Sequence, residues 1–438
     1  MMRTILVAGA VLGSSLLAQA QTKTAVSGAT VQRVLTTLAA DDMQGRASGQ
    51  PGNLKAAEFL ASEFRRIGLQ PLPGASSFMQ EFPAYETTLK SLTVTLGGTP
   101  VPAERAFALT SQPQLNWTAK DSVQVLVLGP GEKVQPHFRE IFRPEKNTLV
   151  LFDPAQAATF QALVKQFGQP RLRAAQGGGA ASSVWVLAPA PAGRPAFQVA
   201  ATTATTTVPL RNVVGYLPGH DPARAGQEVI FSGHYDHLGI TRPAVNGDSI
   251  ANGADDDASG TTAVVALAEY FKQRNDNARP LIFVAFTAEE VGGFGSQYFS
   301  RQLDPGQLTA MFNIEMIGKP AKFGPKTAFI TGYDRSNFGQ LLQANLKGTG
   351  FRFEPDPYPE QNLFYRSDNA TLARLGVPAH TISTDQIPSD KLYHSVDDEV
   401  SSLDVQNMTA VISAIAQSAS GIVAGRQTPT RIAPERDK

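Results

Sequence analysis

From Arg211 onward, short apolar runs of strand length alternate with segments of helical spacing, and this alternation leaves few architectures open. The runs are Glu228–Ser232, Leu281–Thr287, Met311–Glu315 and Thr327–Thr331, and the helical segments are Ala258–Lys272, Phe338–Leu346 and Asn369–Leu375. Such a pattern predicts an α/β fold, a mixed and mostly parallel sheet with helices on both faces. Ser401 or Ser402 can cap a last helix reaching about Val423, and the polar tail 425–438 is expected to be mobile.

The first half is organised differently. Residues 21–91 read as the first part of the same domain. Ala57, Leu60, Ala61 and Phe64 recur at helical spacing within Leu54–Phe64, and Gly68 is placed to stop the helix. Between 92 and 206 the texture changes to short β-rich runs (Ser91–Leu96, Val123–Leu128, Thr148–Phe152, Ser183–Leu187) separated by Pro, Gly and Gln. A glycine-rich loop at Gln176–Ser183 and an Ala/Thr-rich segment at Ala201–Thr207 complete it. This span predicts an inserted, smaller, mainly β domain, with the main domain resuming over 207–424.

Residues 1–20 have the form of a secretory signal: Arg3, an apolar run from Ile5 to Leu17, then Ala18-Gln19-Ala20. The run is short for a membrane span. Cleavage after Ala20 is expected, leaving Gln21 first, export to the periplasm or outside the cell, and no stable membrane anchor. An uncleaved anchor or a buried first helix is the alternative. The chain has no cysteine, so disulfides and thiolate metal sites are excluded. Lys plus Arg equals Asp plus Glu at 38 each, and no basic cluster appears, so nucleic acid is set aside as a partner.

The chemistry-bearing residues gather where the predicted strands end, as ligands do in open α/β sheets. Ser232-Gly233-His234-Tyr235-Asp236-His237 closes the first strand. His234 can bind a metal while Asp236 holds its other ring nitrogen; His237 reads as a surface-loop histidine. Asp255-Asp256-Asp257 precedes a helix, and three adjacent carboxylates repel unless a cation or a helix N-terminus compensates. That makes the triplet a supplier of a carboxylate bridging two ions, or else an acidic helix start. Glu289-Glu290 follows the second strand and allows one carboxylate to bind metal and the other to handle protons; a solvated pair is the bland reading. Glu315 is a lone acid in an apolar strand, costly unless paired or metal-bound. Lys391-Leu392-Tyr393-His394-Ser395 offers a second ligand histidine. Two histidines and three carboxylates make a nitrogen/oxygen site suited to two divalent ions, zinc above all.

With these motifs in order, the chain resembles the secreted co-catalytic zinc peptidases, which include bacterial leucyl aminopeptidases, glutamate carboxypeptidase II and the glutaminyl cyclases. Asp42-Met43-Gln44-Gly45-Arg46, Asn212-Val213-Val214-Gly215, Leu217-Pro218-Gly219, Arg366-Ser367-Asp368 and Gly376-Val377-Pro378 extend the likeness. The resemblance implies the zinc peptidase (phosphorylase/hydrolase-like) fold and two Zn²⁺ per chain. It assigns His234 and Glu315 to one ion, Glu290 and His394 to the other, and Asp256 to both, with a cis bond to Asp257. It makes Glu289 the general base toward a water shared by the metals, Asp236 the residue orienting His234, and Tyr393 the phenol steadying the oxyanion, although Tyr393 also reads as a packing tyrosine. Ser367, Asp368 and Asn369 fall in the substrate-binding segment, where a histidine is frequent at 369. At 315 most relatives carry Asp, one methylene shorter. The insert occupies the place of a protease-associated domain.

The function implied is an exported zinc aminopeptidase acting on peptides. A carboxypeptidase or dipeptidase, a glutaminyl-peptide cyclase holding a single zinc, and a non-catalytic binding relative are the alternatives.

Overall fold

The computed structural model describes residues 25–169, 171–176, 181–245 and 247–433. The expected signal segment and part of the glycine-rich loop lie outside the described residues. No helix among the described residues is long and apolar enough to cross a membrane.

The buried-strand runs form the centre of one large mixed sheet. Glu228–His234 lies parallel to Leu281–Phe286 on one side and to Leu308–Ile314 on the other, and Ala379–Ser383 continues the parallel set. Thr327–Ile330 joins antiparallel and brings Arg352–Pro355 to the edge. Apart from the partly exposed Glu228, these central strands are buried along their whole length, which is why they read as continuous apolar runs rather than alternating ones. Phe231 stacks between Phe283 and Phe312 at ring-centroid distances of 5.5 and 4.8 Å. Each fully buried ring of this kind contributes roughly 1.5–3 kcal/mol, and together they hold the three site-bearing strands in register.

Helices cover the sheet on both faces. Gly28–Leu38, Pro51–Ile67, Gly260–Arg274 and Val405–Val423 share one apolar core with the sheet. Phe299 and Leu372, from the helices Phe294–Ser300 and Asn369–Arg374, pack in a second core with the sheet residues Ile230 and Ile282. Pro51–Ile67 ends on Gly68 at φ 83°, as the sequence predicts. The last helix is capped by Asp404, whose carboxylate accepts the Asn407 N–H, not by Ser401 or Ser402. Those serines occupy a short 3₁₀ turn just before it.

The insert grows out of a continuous antiparallel ribbon. Met79–Leu96 pairs with Phe197–Leu217 from Met79↔Val213 to Leu96↔Phe197. The Val213–Leu217 end pairs with Leu281–Ala285 of the catalytic sheet, while the far end pairs with Gln114–Thr118. Positions 92 and 206 therefore fall inside unbroken strands, and the Ala/Thr-rich segment is part of one of them. A four-stranded sheet (Ala106–Leu109, Ser183–Leu187, Thr148–Phe152 and Gln124–Leu128) stands on the ribbon, accompanied by the helices Phe138–Phe142 and Ala157–Phe167. Residues 425–433, expected as a mobile tail, are laid against the domain. Ile432 is buried, Arg431 donates to the Leu308 carbonyl, and Arg279 donates to Gln427 O and Thr428 Oγ1.

Candidate metal centre

Parallel pairing places the carboxyl ends of Glu228–His234, Leu281–Phe286 and Leu308–Ile314 side by side, so His234, the Glu289-Glu290 turn and Glu315 meet on one rim of the sheet. The aspartate triplet reaches the same rim from the turn before Gly260–Arg274. Two glycines let it come that close. A Cβ on Gly233 would sit 2.9 Å from Asp257 Oδ2, and one on Gly260 would sit 2.1 Å from the Ile314 carbonyl oxygen.

The three aspartates do three different jobs. Asp257, joined to Asp256 by a cis peptide, accepts the backbone N–H groups of His234, Gly260 and Met316 at 3.0 Å each. Asp255 accepts the Gly318 N–H at 2.8 Å and pairs with Lys319 at 3.3 Å. Asp256 alone turns to the histidines: its Oδ1 lies 3.2 Å from His234 Nε2 and its Oδ2 lies 3.3 Å from His394 Nε2. One carboxylate thus faces a different imidazole with each oxygen. His394 Nε2 also lies 3.2 Å from Glu290 Oε2, and His234, Asp256 and Glu315 bring donor atoms within 4.8 Å of one another.

The donors fit two hard or borderline divalent ions. His234, Asp256 and Glu315 could hold one; Asp256 and Glu290 could hold the other, with donor atoms of both His237 and His394 beside them, all through nitrogen or oxygen. Glu315 Oε2 is buried without a hydrogen-bond partner, as a carboxylate left for a cation would be. The longer Glu at 315 still reaches the cluster.

Packing so many carboxylates together in the interior displaces their proton affinities. Burial, reinforced by Asp256 against the pull of His234, pushes Glu315 up to about 7. Burial likewise raises Glu289 well above the usual range, opposed by His234 and assisted by Glu315 and Asp368. Burial works against an ionised Asp256 too, but His234 and His394 outweigh it and hold the carboxyl far below its usual range. His394 is pushed up to about 10 by its hydrogen bonds to Asp256 and Glu290. Histidines and carboxylates here neutralise one another, the balance a bound cation would take over.

Neighbouring groups fix this arrangement. Asp236 does not orient His234 through its side chain, since its carboxylate is 3.8 Å from His234 Nδ1 and the backbone carbonyl of Asp236 is nearer at 3.1 Å. The Asp236 carboxylate instead accepts Ser48 Oγ and the N–H groups of Glu289 and Glu290, at 2.9, 3.1 and 3.3 Å, and so sets the glutamate turn. Asp398 accepts the Asp255 and Asp256 N–H groups at 3.1 Å. Arg46 is fully buried and donates to the carbonyls of Leu38, Tyr235, Asn252 and Gly253. His237 is buried, not on the surface, with Nδ1 2.8 Å from Glu290 Oε1.

A cleft of about 640 Å³ opens over the cluster, lined by Asp256, Glu289, Glu290, Glu315, Tyr393 and His394 on one side. Met316, Phe329, Leu363 and Ile387 form apolar wall, and Arg366 and Ser367 stand at its edge. Tyr393 stacks on His394 at 3.9 Å, and burial raises its phenol above the usual range. Ser367 and Asp368 line an adjoining hollow that Glu289 shares. Asn369 does not reach either space. It is buried at a helix start, where it donates to the carbonyls of Phe364 and Ala379 and accepts from Thr381, so it braces the turn instead of meeting substrate.

Asp255, Asp385 and Asp390 form a further carboxylate group, of which Asp385 also lines this cleft. The Lys319 ammonium pairs with both Asp255 and Asp390 and already supplies its cation.

A sheet of this topology that carries one carboxylate between two histidines at its rim is a scaffold of the metallopeptidase kind. Residues 212–419 match the family model described as peptidase family M28, the resemblance the motifs carry. In sequence the chain is similar to leucine aminopeptidase 1 of Penicillium rubens, 29% identical over 199 residues, covering 43% of this chain and 50% of that protein. It spans about half the length of the curated relatives it matches. In fold it is similar to the aminopeptidase of Aneurinibacillus sp. strain AM-1, with TM-score 0.54 and 18% identity over 94% of this chain and 97% of that one. The zinc aminopeptidase BSAP of Bacillus subtilis gives TM-score 0.55 and 15% identity over 91% and 96%. The fold is therefore that of the zinc aminopeptidases.

Proposed function

We propose that this protein is an exported zinc-dependent aminopeptidase that removes N-terminal residues from peptides. The observation that carries the reading is Asp256, whose two carboxylate oxygens face His234 and His394 separately. Two bound ions would activate a water and polarise the scissile carbonyl, the two-metal chemistry for which aminopeptidases are a standing example. Glu289, on the cleft wall beside Glu290, takes the proton from the attacking water and returns it to the departing amine. Tyr393 offers its phenol O–H to the developing oxyanion. Asp236 keeps Glu289 and Glu290 aimed through their backbone N–H groups. The apolar wall of Met316, Phe329, Leu363 and Ile387 suits an apolar first residue. Export rests on the signal-like residues 1–20, and the insert stands where a protease-associated domain would.

One observation favours a second reading, a dipeptidase or carboxypeptidase: Arg366 stands on the cleft, its side chain 3.4 Å from Gln361 Oε1, where the guanidinium could meet a substrate carboxylate. Zinc-reconstituted protein assayed on peptides with a free N-terminus and an amidated C-terminus, and on peptides with an acetylated N-terminus and a free C-terminal carboxylate, separates the two. The aminopeptidase reading predicts release of the first residue only from the free N-terminus, lost by about 10²-fold or more in Glu289→Gln. Cleavage of the acetylated peptides, or full turnover in that variant, refutes it.

A further inference from the structure

Glu290 divides its two oxygens. Oε2 faces His394 Nε2 at 3.2 Å, on the side where the second ion would lie, and Oε1 is 2.8 Å from His237 Nδ1. An ionised carboxylate only accepts, so Nδ1 carries the proton and donates, at the short length of a charge-assisted hydrogen bond. The imidazole has no freedom to leave. It is buried, and a Cβ on Gly253 would come within 2.5 Å of its Cγ and Cδ2, so the ring is clasped against that glycine. His237 also holds Nδ1 3.8 Å from Asp256 Oδ2, close to both carboxylates of the second position.

We infer that His237 is a positioning residue for the second zinc: it fixes Glu290 Oε1 so that Oε2 alone is presented to the metal. Direct ligation by His237 would add a fourth protein ligand to Asp256, Glu290 and His394 and close the position a catalytic ion leaves open for water. Hydrogen-bond partners of this kind typically change metal affinity by about 10–100-fold when removed. The inference rests on the reading of Glu290 as a zinc ligand.

The test is a competition titration of zinc against a chromophoric chelator, fitted to two sites, on the mature full chain. Thermal melting of each zinc-free variant is measured in parallel to establish folding. His237→Leu is expected to weaken the second zinc by about 10–100-fold and leave the first unchanged. His237→Asn, whose amide N–H occupies the place of Nδ1–H, is expected to restore the affinity to within a few-fold. Unchanged zinc binding in His237→Leu overturns the inference. Equal weakening in both variants overturns it in favour of direct ligation. Wild-type protein that takes up fewer than two zincs overturns the two-metal reading itself, and the inference with it.

Discussion

Replacing Arg46 with methionine is the perturbation that most directly probes how the chain holds its ligand loops. The guanidinium is fully buried and donates to Tyr235 O, Leu38 O and Asn252 O at 2.6 Å and to Gly253 O at 2.9 Å. Three of those carbonyls belong to the segments that carry His234 and Asp256. A hydrogen bond to a charged group is worth roughly 1.5–3 kcal/mol net, so four amount to roughly 6–12 kcal/mol. Burying the ion costs several kcal/mol in return, and burial lowers the Arg46 pKa to about 10 despite Asp398, Asp236, Asp256 and Asp257 nearby. The balance is a net stabilisation on the order of 3–5 kcal/mol, the usual loss when one partner of a buried charged network is removed. Methionine keeps the apolar stem but takes the guanidinium donor from the carbonyls of Leu38, Tyr235 and Asn252, while Gly253 O keeps the Ala258 N–H. Urea unfolding of zinc-free wild type and Arg46→Met at pH 7 measures the difference. A loss below about 1 kcal/mol, within the range of ordinary surface substitutions and caps, would show that water or relaxation replaces the guanidinium and refute this reasoning.

Two further outcomes are expected. Glu63 is buried between Arg33, at 2.7 Å through both oxygens, and Arg66, at 2.9 Å, and although burial opposes it these partners lower its pKa. A lowered carboxylate stabilises above its unfolded pKa and loses that contribution as pH falls through the folded value. Glu63→Gln should therefore cost roughly 1.5–3 kcal/mol at pH 7 and converge with wild type in acid; a pH-independent difference in denaturant midpoints would contradict this. Asp385 has the opposite sign. Burial, then the charges of Asp255 and Asp390, push it up to about 8. Stability linked to it is complete below its unfolded pKa near 4 and is lost as pH rises to about 8, so Asp385→Asn should raise the melting temperature at pH 9 and hardly at pH 4. Equal melting shifts at both pH values would contradict that assignment.

What could be read from the sequence follows from which signals are local. Apolar strand runs ending in His234, Glu289-Glu290 and Glu315 show both the sheet and the candidate ligands, because parallel strands deliver their carboxyl ends to one rim. The triplet marked itself as a source of one bridging carboxylate, but only the resemblance singled out Asp256, and the backbone N–H groups of His234, Met316 and Gly318 that occupy Asp257 and Asp255 come from segments distant in the chain. His237 was illegible for the same reason: its partner, Glu290, is distant in the chain, and a lone histidine after a strand carries no mark of burial. Asn369 misled because it adjoins Ser367 and Asp368, yet the helix start turns its side chain inward to two carbonyls. Asp236 shows the same limit, since its spacing from His234 suggested a direct contact where the backbone carbonyl makes it. The ribbon of Met79–Leu96 and Phe197–Leu217 was hidden because its register joins residues more than a hundred positions apart, and Ala/Thr composition does not announce a strand.

The number of ions the rim holds tests the role of Asp256 most directly. Mature protein reconstituted with zinc, freed of loose metal by gel filtration and assayed by mass spectrometry of the metal, should carry about two zincs per chain, as Asp256 between His234 and His394 requires. About one zinc per chain, or none, would contradict it.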